Sequence, residues 1–524
     1  MKTKFTSTKT QLTTRHNDSV VQTNMNTMKM TNAMRMKLLC LATFAMAMTA
    51  AHLTAQTFTT LHSFTNADGA LPQAVILSGK TLYGTTYQGG KYGYGVVFAV
   101  NNDGTGFTNL HSLNGGSDGG NPYAGVTLSG NILYGTASYG GSSDEGTVFK
   151  VNTDGTDFTP LLSFTGANDE AYPETGLLLS GNTLYGASGG PGSTSGALFA
   201  LNTNGTPFTT LHVFSPISGA QTTNSDGASV FGNDALVLSG NTLYATAEIG
   251  GTNGTGTIFA VNTSGMGFTV LHSFAPVVGT SPYSNPPYTN SEGAFPDSGL
   301  VLSGNTLYGT ATVGGTNGGT GTIFAINTNG TGFTTLYSFT ATAGSQGGYG
   351  TNSDGAYPSY VTLILSGNTL YGTTLYGGSA GNGTVFAVNT DGSGFTVLHS
   401  FTSGSGSGPN IINSDGTEPD SLVLSGNTLY GTAYEGGSSG NGTVFSLSFP
   451  PPQLHLISSG PYVSLTWPTN YAGFSYSGYI LQSTTNLVSP VWGTVSPGPV
   501  VVNGQNTVTN PVSGTQQFFR LNSP

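Results

Sequence analysis

Charge is what this chain of 524 residues has least of: Asp, Glu, Lys and Arg make up 6% of it, where about 25% is usual. Cations are scarcest. Beyond residue 55 only Lys80, Lys91, Lys150 and Arg520 remain, against 21 acids, a net charge of −17. A surface so poor in Lys and Arg cannot neutralise a phosphate backbone, which excludes nucleic acid as a partner. Adhesion to anionic lipid is excluded on the same ground. Cysteine is nearly absent too: Cys40 is the only one, and it lies in a segment expected to be removed. The remaining chain then has no disulfide, no Cys metal site and no thiol nucleophile. No 3.6-residue apolar period follows residue 55, so no amphipathic helix is expected. Phosphate loops, Cys/His clusters and serine-nucleophile elbows are likewise missing.

The few basic residues gather at the N-terminus, seven of eleven before residue 38. There "MRMKLLCLATFAMAMTAAHLTAQ" (34–56) has a basic start, an apolar run and small residues ahead of Gln56. That order predicts a secretory signal peptide cleaved after Ala55, with 1–33 as an extension. The expected destination is outside the cell or on its surface, with no membrane insertion after cleavage.

What the chain does have is glycine, 81 residues, and short runs of Val, Ile, Leu, Thr, Phe and Tyr between turn residues. "LVLSGNTLYGT" stands at 300–310 and again at 422–432, and "LVLSGNTLYAT" at 236–246. Aligned on its tyrosine, the phrase occurs at Tyr83, Tyr134, Tyr185, Tyr244, Tyr308, Tyr371 and Tyr430, at intervals of 51, 51, 59, 64, 63 and 59. Repeats of this length signal an array or a propeller. Each unit holds four strand-like pieces, in the fifth "GLVLSG", "NTLYGTA", "GTIFAIN" and "GFTTLYSF". Gly, Asn and Asp in the intervening "SGN" and "NTNGTG" supply the positive φ of hairpin turns. Apolar on both faces, such strands fit a sheet sandwiched between two neighbours.

The expected fold is therefore all-β: a seven-bladed β-propeller over 56–449, a proline linker at 450–452, and a small β-sandwich over 453–524. The fourth piece also occurs seven times, yet its first copy (58–64) precedes the first "LYG" and the last unit has none. The N-terminal strand is thus expected to complete the last blade and close the ring. The unit "LVLSGNTLYGTA…GG…GNGTVFAVNTDGTGFTxLHSF" resembles the GloVer (Gloeo_Verruco) repeat of secreted bacterial proteins, and its layout is similar to kelch blades. The resemblance implies an extracellular tandem-repeat propeller and no particular activity. In the tail, "VSLTWP", "GYILQSTTNL" and "QQFFRL", with Trp467 as core aromatic, resemble a short fibronectin type III-like module.

Three sets of residues invite a functional reading. His62, His111, His212, His272 and His399 share one repeat position, but Leu162 and Tyr337 also occupy it, which points to packing. Asp68, Asp118, Asp169, Asp226, Glu292, Asp354 and Asp415 recur in the loop leading into each blade. They are expected either to form turns or to ring the channel, where a negative mouth would attract a cation. Calcium is the one cofactor left open, and none is otherwise expected. The lead-in loops also lengthen before units 4–7, which places Tyr283, Tyr288, Phe295, Tyr349 and Tyr357 on one face. The "GG" loops add Tyr87, Tyr139, Tyr376 and Tyr434 there. Extra length on one side of a repeat scaffold suits a binding face, and flat aromatics suit sugar rings. The expectation is a monomeric, non-catalytic binder of a glycan or surface protein. The alternatives are a carbohydrate-active enzyme using channel carboxylates such as Glu292 and Asp354, or a purely structural cell-surface protein.

Overall fold

The computed structural model describes residues 56–522 apart from 167–170, 190–195, 220–221, 231–235, 280–287, 344–349, 407–410, 460, 477 and 512–515. The predicted signal segment with Cys40, and Asp169, Tyr283 and Tyr349, lie outside the described residues. Every regular element among those described is a strand.

Each of the first six repeats folds as one antiparallel four-stranded sheet in chain order. In unit 1 the strands are Ala70–Ser78, Thr81–Gln88, Val96–Asn101 and Thr108–Ser112. The hairpin turns form where Gly takes positive φ, as Gly79 (61°) and Gly104 (83°) do. Unit 7 has three strands of its own, Thr417–Ser425, Thr428–Glu435 and Thr443–Ser448. Its fourth is Thr57–Ser63 from the other end of the repeat region, antiparallel to Thr443–Ser448 with Thr57 opposite Ser448. Seven such sheets are built from repeats among the described residues. The architecture is all-β and propeller-like.

Apolar side chains stand on both faces because each sheet is covered twice. The second and third strands are almost wholly buried, and their side chains form clusters spanning neighbouring units. Phe149 and Val151 of unit 2 pack with Val97 of unit 1. Phe259 and Leu243 of unit 4 pack with Tyr185 and Leu198 of unit 3. Tyr430 and Val444 of unit 7 share a cluster with Leu82 and Phe98 of unit 1 and with Phe64. This burial is the main source of cohesion, at about 1.5–3 kcal/mol for each fully buried large side chain.

Backbone geometry repeats with equal regularity where the chain enters each first strand. The residue before the proline holds a left-handed φ in Leu71 (59°), Asn121 (55°), Tyr172 (55°), Phe295 (56°), Tyr357 (57°) and Glu418 (55°). Such strain costs roughly 1–3 kcal/mol per site and persists because each N–H is captured by the preceding unit. Asn121 donates to the Tyr94 carbonyl at 2.8 Å, Phe295 to Thr255 at 2.9 Å, and Leu71 to Asn441 of unit 7 at 3.0 Å. The proline ring then lies where the preceding unit has no side chain. A Cβ on Gly383 would sit 2.5 Å from the ring of Pro419, and one on Gly442 would sit 2.3 Å from that of Pro72. Deeper in, threonines tie second strands to the next unit's lead-in: Thr85 Oγ1 donates to the Ala124 carbonyl at 2.8 Å and Thr373 Oγ1 to Asp420 at 3.1 Å.

First strands lie against one another, Ile364–Ser366 against Thr417–Ser425, and that strand in turn against Ala70–Ser78. Residues of units 1, 2, 3 and 7 line a common space of only about 20 Å³. The described residues after 452 add further strands with a core of Leu465, Trp467, Leu481, Val495 and Val508, in the same compact unit as the repeats. They are clamped to the repeats by Phe449 stacked on Phe474 at 4.2 Å and by the Ser475 N–H donating to Tyr371 Oη at 2.8 Å.

Candidate functional site, a cavity of tyrosines and carboxylates

The acids singled out by their repetition do not ring a channel. Each of the six described ones is engaged by the fourth strand of the sheet before its loop. His62, His111, His212, His272 and His399 donate through Nε2 to Asp68, Asp118, Asp226, Glu292 and Asp415 at 3.0–3.1 Å. Tyr337 donates to Asp354 in the same way at 2.9 Å. The acids also cap backbone: Asp415 accepts from the Thr402 N–H at 3.0 Å and from its hydroxyl. The ring above each acid stacks on the next unit's phenylalanine, His111 on Phe158 at 3.7 Å and Tyr337 on Phe395 at 3.8 Å. At the one non-aromatic copy, Leu162 packs against the same core cluster as Phe208. The position takes a flat or apolar surface, and where it is His or Tyr the side chain also donates to the acid, which explains why those two interchange. The Asx turns in the longer loops belong to a neighbouring residue instead: Asn413 Oδ1 accepts from the N–H groups of Gly416 and Gly437 at 2.9 Å.

Three of the aromatic predictions also change meaning. Tyr357 is buried at 5% exposure, and with Tyr288 and Phe295 it packs against Ala294, Val313 and Ala356. These three build a small loop core rather than open platforms. Tyr87, Tyr376 and Tyr434 do approach a shared site. Tyr376 and Tyr434 join Tyr123, Tyr360, Gln73, Leu375, Glu418 and Asp420 around a cavity of about 160 Å³. Tyr87 stands edge-on to Tyr123 at 5.6 Å, and Tyr123 edge-on to Tyr360 at 6.1 Å. Tyr139 lies near enough to Tyr87 to raise its pKa, although burial has the larger effect.

The strained lead-in delivers these groups. Glu418 is the residue held at positive φ before its proline, and Gln73, Tyr123, Glu174, Asp297 and Asp420 each directly follow one. Tyr360 follows one residue later. The remaining side chains, Tyr87, Glu248, Leu375, Tyr376, Tyr434 and Glu435, stand where the second strand runs into the "GG" loop. First-strand starts and "GG" loops lie at the same end of every sheet, opposite the "SGN" turns, so all these residues share one end of the array. The C-terminal module sits by the turns at the other end, where Thr469, Asn470 and Gly473 face Asn368 and Asn389.

Burial dominates the electrostatics. It pushes Glu174 up to about 7. Glu248 rises to about 8 through burial, then the nearby charges of Asp297 and Glu174; the side chain keeps part of its surface open, but protein fills most of the volume around it. Glu418 rises to about 7, again through burial first and Glu435 second. Asp297 and Glu435 are raised by burial as well. Asp297 is the best satisfied, accepting from the hydroxyls of Thr312 at 2.6 Å and of Ser359. Glu174 is 7% exposed with no donor to its carboxylate among the described residues. Among those residues, no three His, Asp or Glu side chains are placed to hold a metal ion.

Reasoning from repetition missed Glu174, Glu248, Asp297, Glu418, Asp420 and Glu435. The available signal was variation: Glu174, Asp297 and Asp420 share the position after the lead-in proline with Gln73, Tyr123 and Ser359, and Glu248, Glu418 and Glu435 fall at positions where the other units carry no acid.

No curated protein matches the chain. Solved structures resemble it distantly. The GH74 enzyme of Niastella koreensis is 15% identical, with 89% of this chain and 74% of that one covered at a TM-score of 0.44. An oligogalacturonate lyase in complex with manganese is 10% identical, over 76% and 95% of the two chains at 0.42. The β-propeller domain of the Trilobed protease from Pyrococcus furiosus is 7% identical, over 70% and 91% at 0.38. None of these likenesses bears on activity. Residues 47–232 match the Gloeobacter/Verrucomicrobia repeat family, and the chain is a repeat-containing protein that carries this unit.

Proposed function

We propose that this is a secreted, non-catalytic propeller of seven blades, closed by its N-terminal strand, that binds an extracellular glycan or surface protein at the tyrosine and carboxylate cavity. The closed ring is supported by the seam between unit 7 and unit 1. There Leu61, Phe64, Tyr430 and Val444 pack with Leu82 and Phe98, and His62 stacks on Phe107 at 3.8 Å, as at the other joints. Secretion rests on the three-part N-terminal pattern. Binding rests on one observation above all: at a single end of a regular array, side chains that break the repeat converge on a cavity. A fold needs only the repeated residues, so unrepeated acids and tyrosines there mark a task other than folding. A glycan array and a pulldown from surface extracts test the reading, with silence in both counting against it. N-terminal sequencing of the protein recovered outside the cell tests cleavage after Ala55.

A second reading, a carbohydrate-active enzyme, is favoured by a different observation. Glu418 has a pKa of about 7, lifted by burial and by Glu435, in the range that suits a general acid. Glu292 and Asp354 play no part in it. Reducing-sugar release from a polysaccharide panel, abolished by Glu418→Gln, would establish it; no release from any substrate removes it.

A further inference from the structure

Charge and apolar surface are divided unequally between the repeats and the strands that follow them. The repeats hold 21 acids against three lysines, a net −18, whereas residues 453–524 contain no Asp, Glu or Lys and a single arginine. That arginine, Arg520, stands 4.3 Å over the Trp492 ring and donates through Nε to Gln482 at 2.9 Å. In the same stretch Leu456, Ile457, Val500, Val501 and Val502 are each at least half exposed. All five belong to the two outermost strands of one sheet. Among the described residues His455–Ser459 pairs only with Tyr462–Pro468, and Val500–Val502 only with Gln505–Pro511. Open edges are usually blunted by Lys, Pro or a bulge, because they offer unpaired backbone groups to another strand. The outer strand of unit 1, "TNLHS" at 108–112, is largely polar. His455–Ser459 instead carries Leu and Ile, in an unbroken register from His455 opposite Thr466 to Ser459 opposite Tyr462.

The outward groups of that strand follow from the sheet. Val502 and Gln505 flank the Asn503-Gly504 turn and so form a hydrogen-bonded pair, and alternation across the strands sets the rest. Leu456, opposite Leu465, and Ser458, opposite Val463, therefore turn N–H and C=O away from the sheet. Leu456 also lies on the core face beside the buried Leu465, yet it is 54% exposed because the sheet ends there. We propose that His455–Ser459 pairs antiparallel with the same strand of a second copy of the chain, about a two-fold axis at Ile457. Leu456 then stands opposite Ser458 of the partner subunit, and the outward groups exchange four hydrogen bonds. Ile457 meets its own equivalent at the closely spaced position, where aliphatic side chains pack. Charge selects a second copy over other occupants. An acidic partner is repelled by the repeats, and a basic one is drawn to them rather than to a neutral edge. The repeats join this sheet at the end where His455 pairs with Thr466, since the chain runs on from there to Ser475 and its bond with Tyr371. Antiparallel pairing puts the two acidic repeat regions at opposite ends of the joint sheet, which limits their repulsion. The shared edge is short, so the monomer prevails at low concentration.

The test is analytical ultracentrifugation of the full chain at neutral pH and physiological salt, from low-micromolar to near-millimolar protein. A monomer–dimer equilibrium is expected. Ile457→Lys sets like charges face to face across the axis and should weaken it at least ten-fold. Its thermal transition should stay unchanged, because the side chain is 60% exposed. Val501→Lys, at the opposite edge, should leave the association as it was. Ile457→Cys in a Cys40→Ser background should form a disulfide between copies on oxidation, since the paired Cα atoms would lie about 4.5 Å apart. A chain that stays monomeric throughout the range overturns the proposal. So does a dimer that survives Ile457→Lys, one lost in Val501→Lys, or one that Ile457→Cys fails to cross-link.

Discussion

The six described acids of the lead-in loops and the six that stand where first strands begin or second strands end are similar in number and chemistry, and their surroundings differ most between Asp415 and Glu174. Asp415 is buried at 3% exposure yet receives His399 and both donors of Thr402. Glu174 is buried at 7% and receives none of the described donors. The first arrangement recurs in unit after unit, because a carboxylate that caps a strand end and anchors a stacking ring is worth having at each joint. Glu174 shares its place directly after a proline with Asp297 and Asp420, and those two are bonded, Asp297 by the hydroxyls of Thr312 and Ser359 and Asp420 by the Ser421 N–H. The described acids of the lead-in loops hold their joints in the same way, whereas the other six differ from unit to unit in how they are met.

The largest expected effect comes from removing what every joint shares. Deleting residues 57–64 strips Leu61 and Phe64 from the seam between units 7 and 1 and leaves Thr443–Ser448 as an open edge. Loss of the folded monomer is expected, seen as aggregation in size-exclusion chromatography. A deletion variant that stays monomeric with an unchanged thermal transition would sink the proposed closure.

Next in size is Asp415→Ala, which leaves His399 and the Thr402 N–H without their acceptor. A loss of about 2–4 kcal/mol is expected by chemical denaturation. Glu418→Gln should behave in the opposite sense, and that contrast is the sharpest test of the comparison. Its pKa is raised from the ordinary 4.5 to about 7 in the fold, so the native state holds a proton that the unfolded chain has already released. Stability should fall as pH rises from about 4.5 to 7 and level off above. The glutamine variant should lack that part of the fall and be the more stable protein at pH 8. A steeper fall in the variant would show that the carboxylate is paired after all.

The smallest effect is expected from His272→Tyr. Tyr337 already fills the equivalent place with its hydroxyl on Asp354 and its ring on Phe395. Stability should change by less than about 1 kcal/mol, whereas His272→Leu, which removes the donor to Glu292, should cost more. Thermal denaturation of the two variants side by side distinguishes them.

Much of the scaffold was legible from the chain alone. Short strands of a fixed repeat, apolar on both faces and cut by Gly and Asn turns, leave an antiparallel four-stranded unit as the economical solution. The displaced first copy at 58–64 told where the missing strand of unit 7 would come from, because a lone strand's backbone groups must be satisfied. The histidine position was readable as packing, since Leu and Tyr substitute there. The site was read less well. Tyr87, Tyr376 and Tyr434 were found through the "GG" loops, but Tyr123, Tyr360 and the unrepeated acids were not.

By itself the sequence determined how each unit pairs and which faces it buries, because hydrogen bonding along a strand and the alternation of its side chains are local and periodic. Which carboxylates are satisfied and which are left facing a cavity was decided only in three dimensions. Asp354 and Glu418 look alike as letters beside a turn. Their difference arises because Glu418, held in the left-handed step before Pro419, lines the cavity, while Tyr337 and Thr340 hold Asp354 at its own strand end.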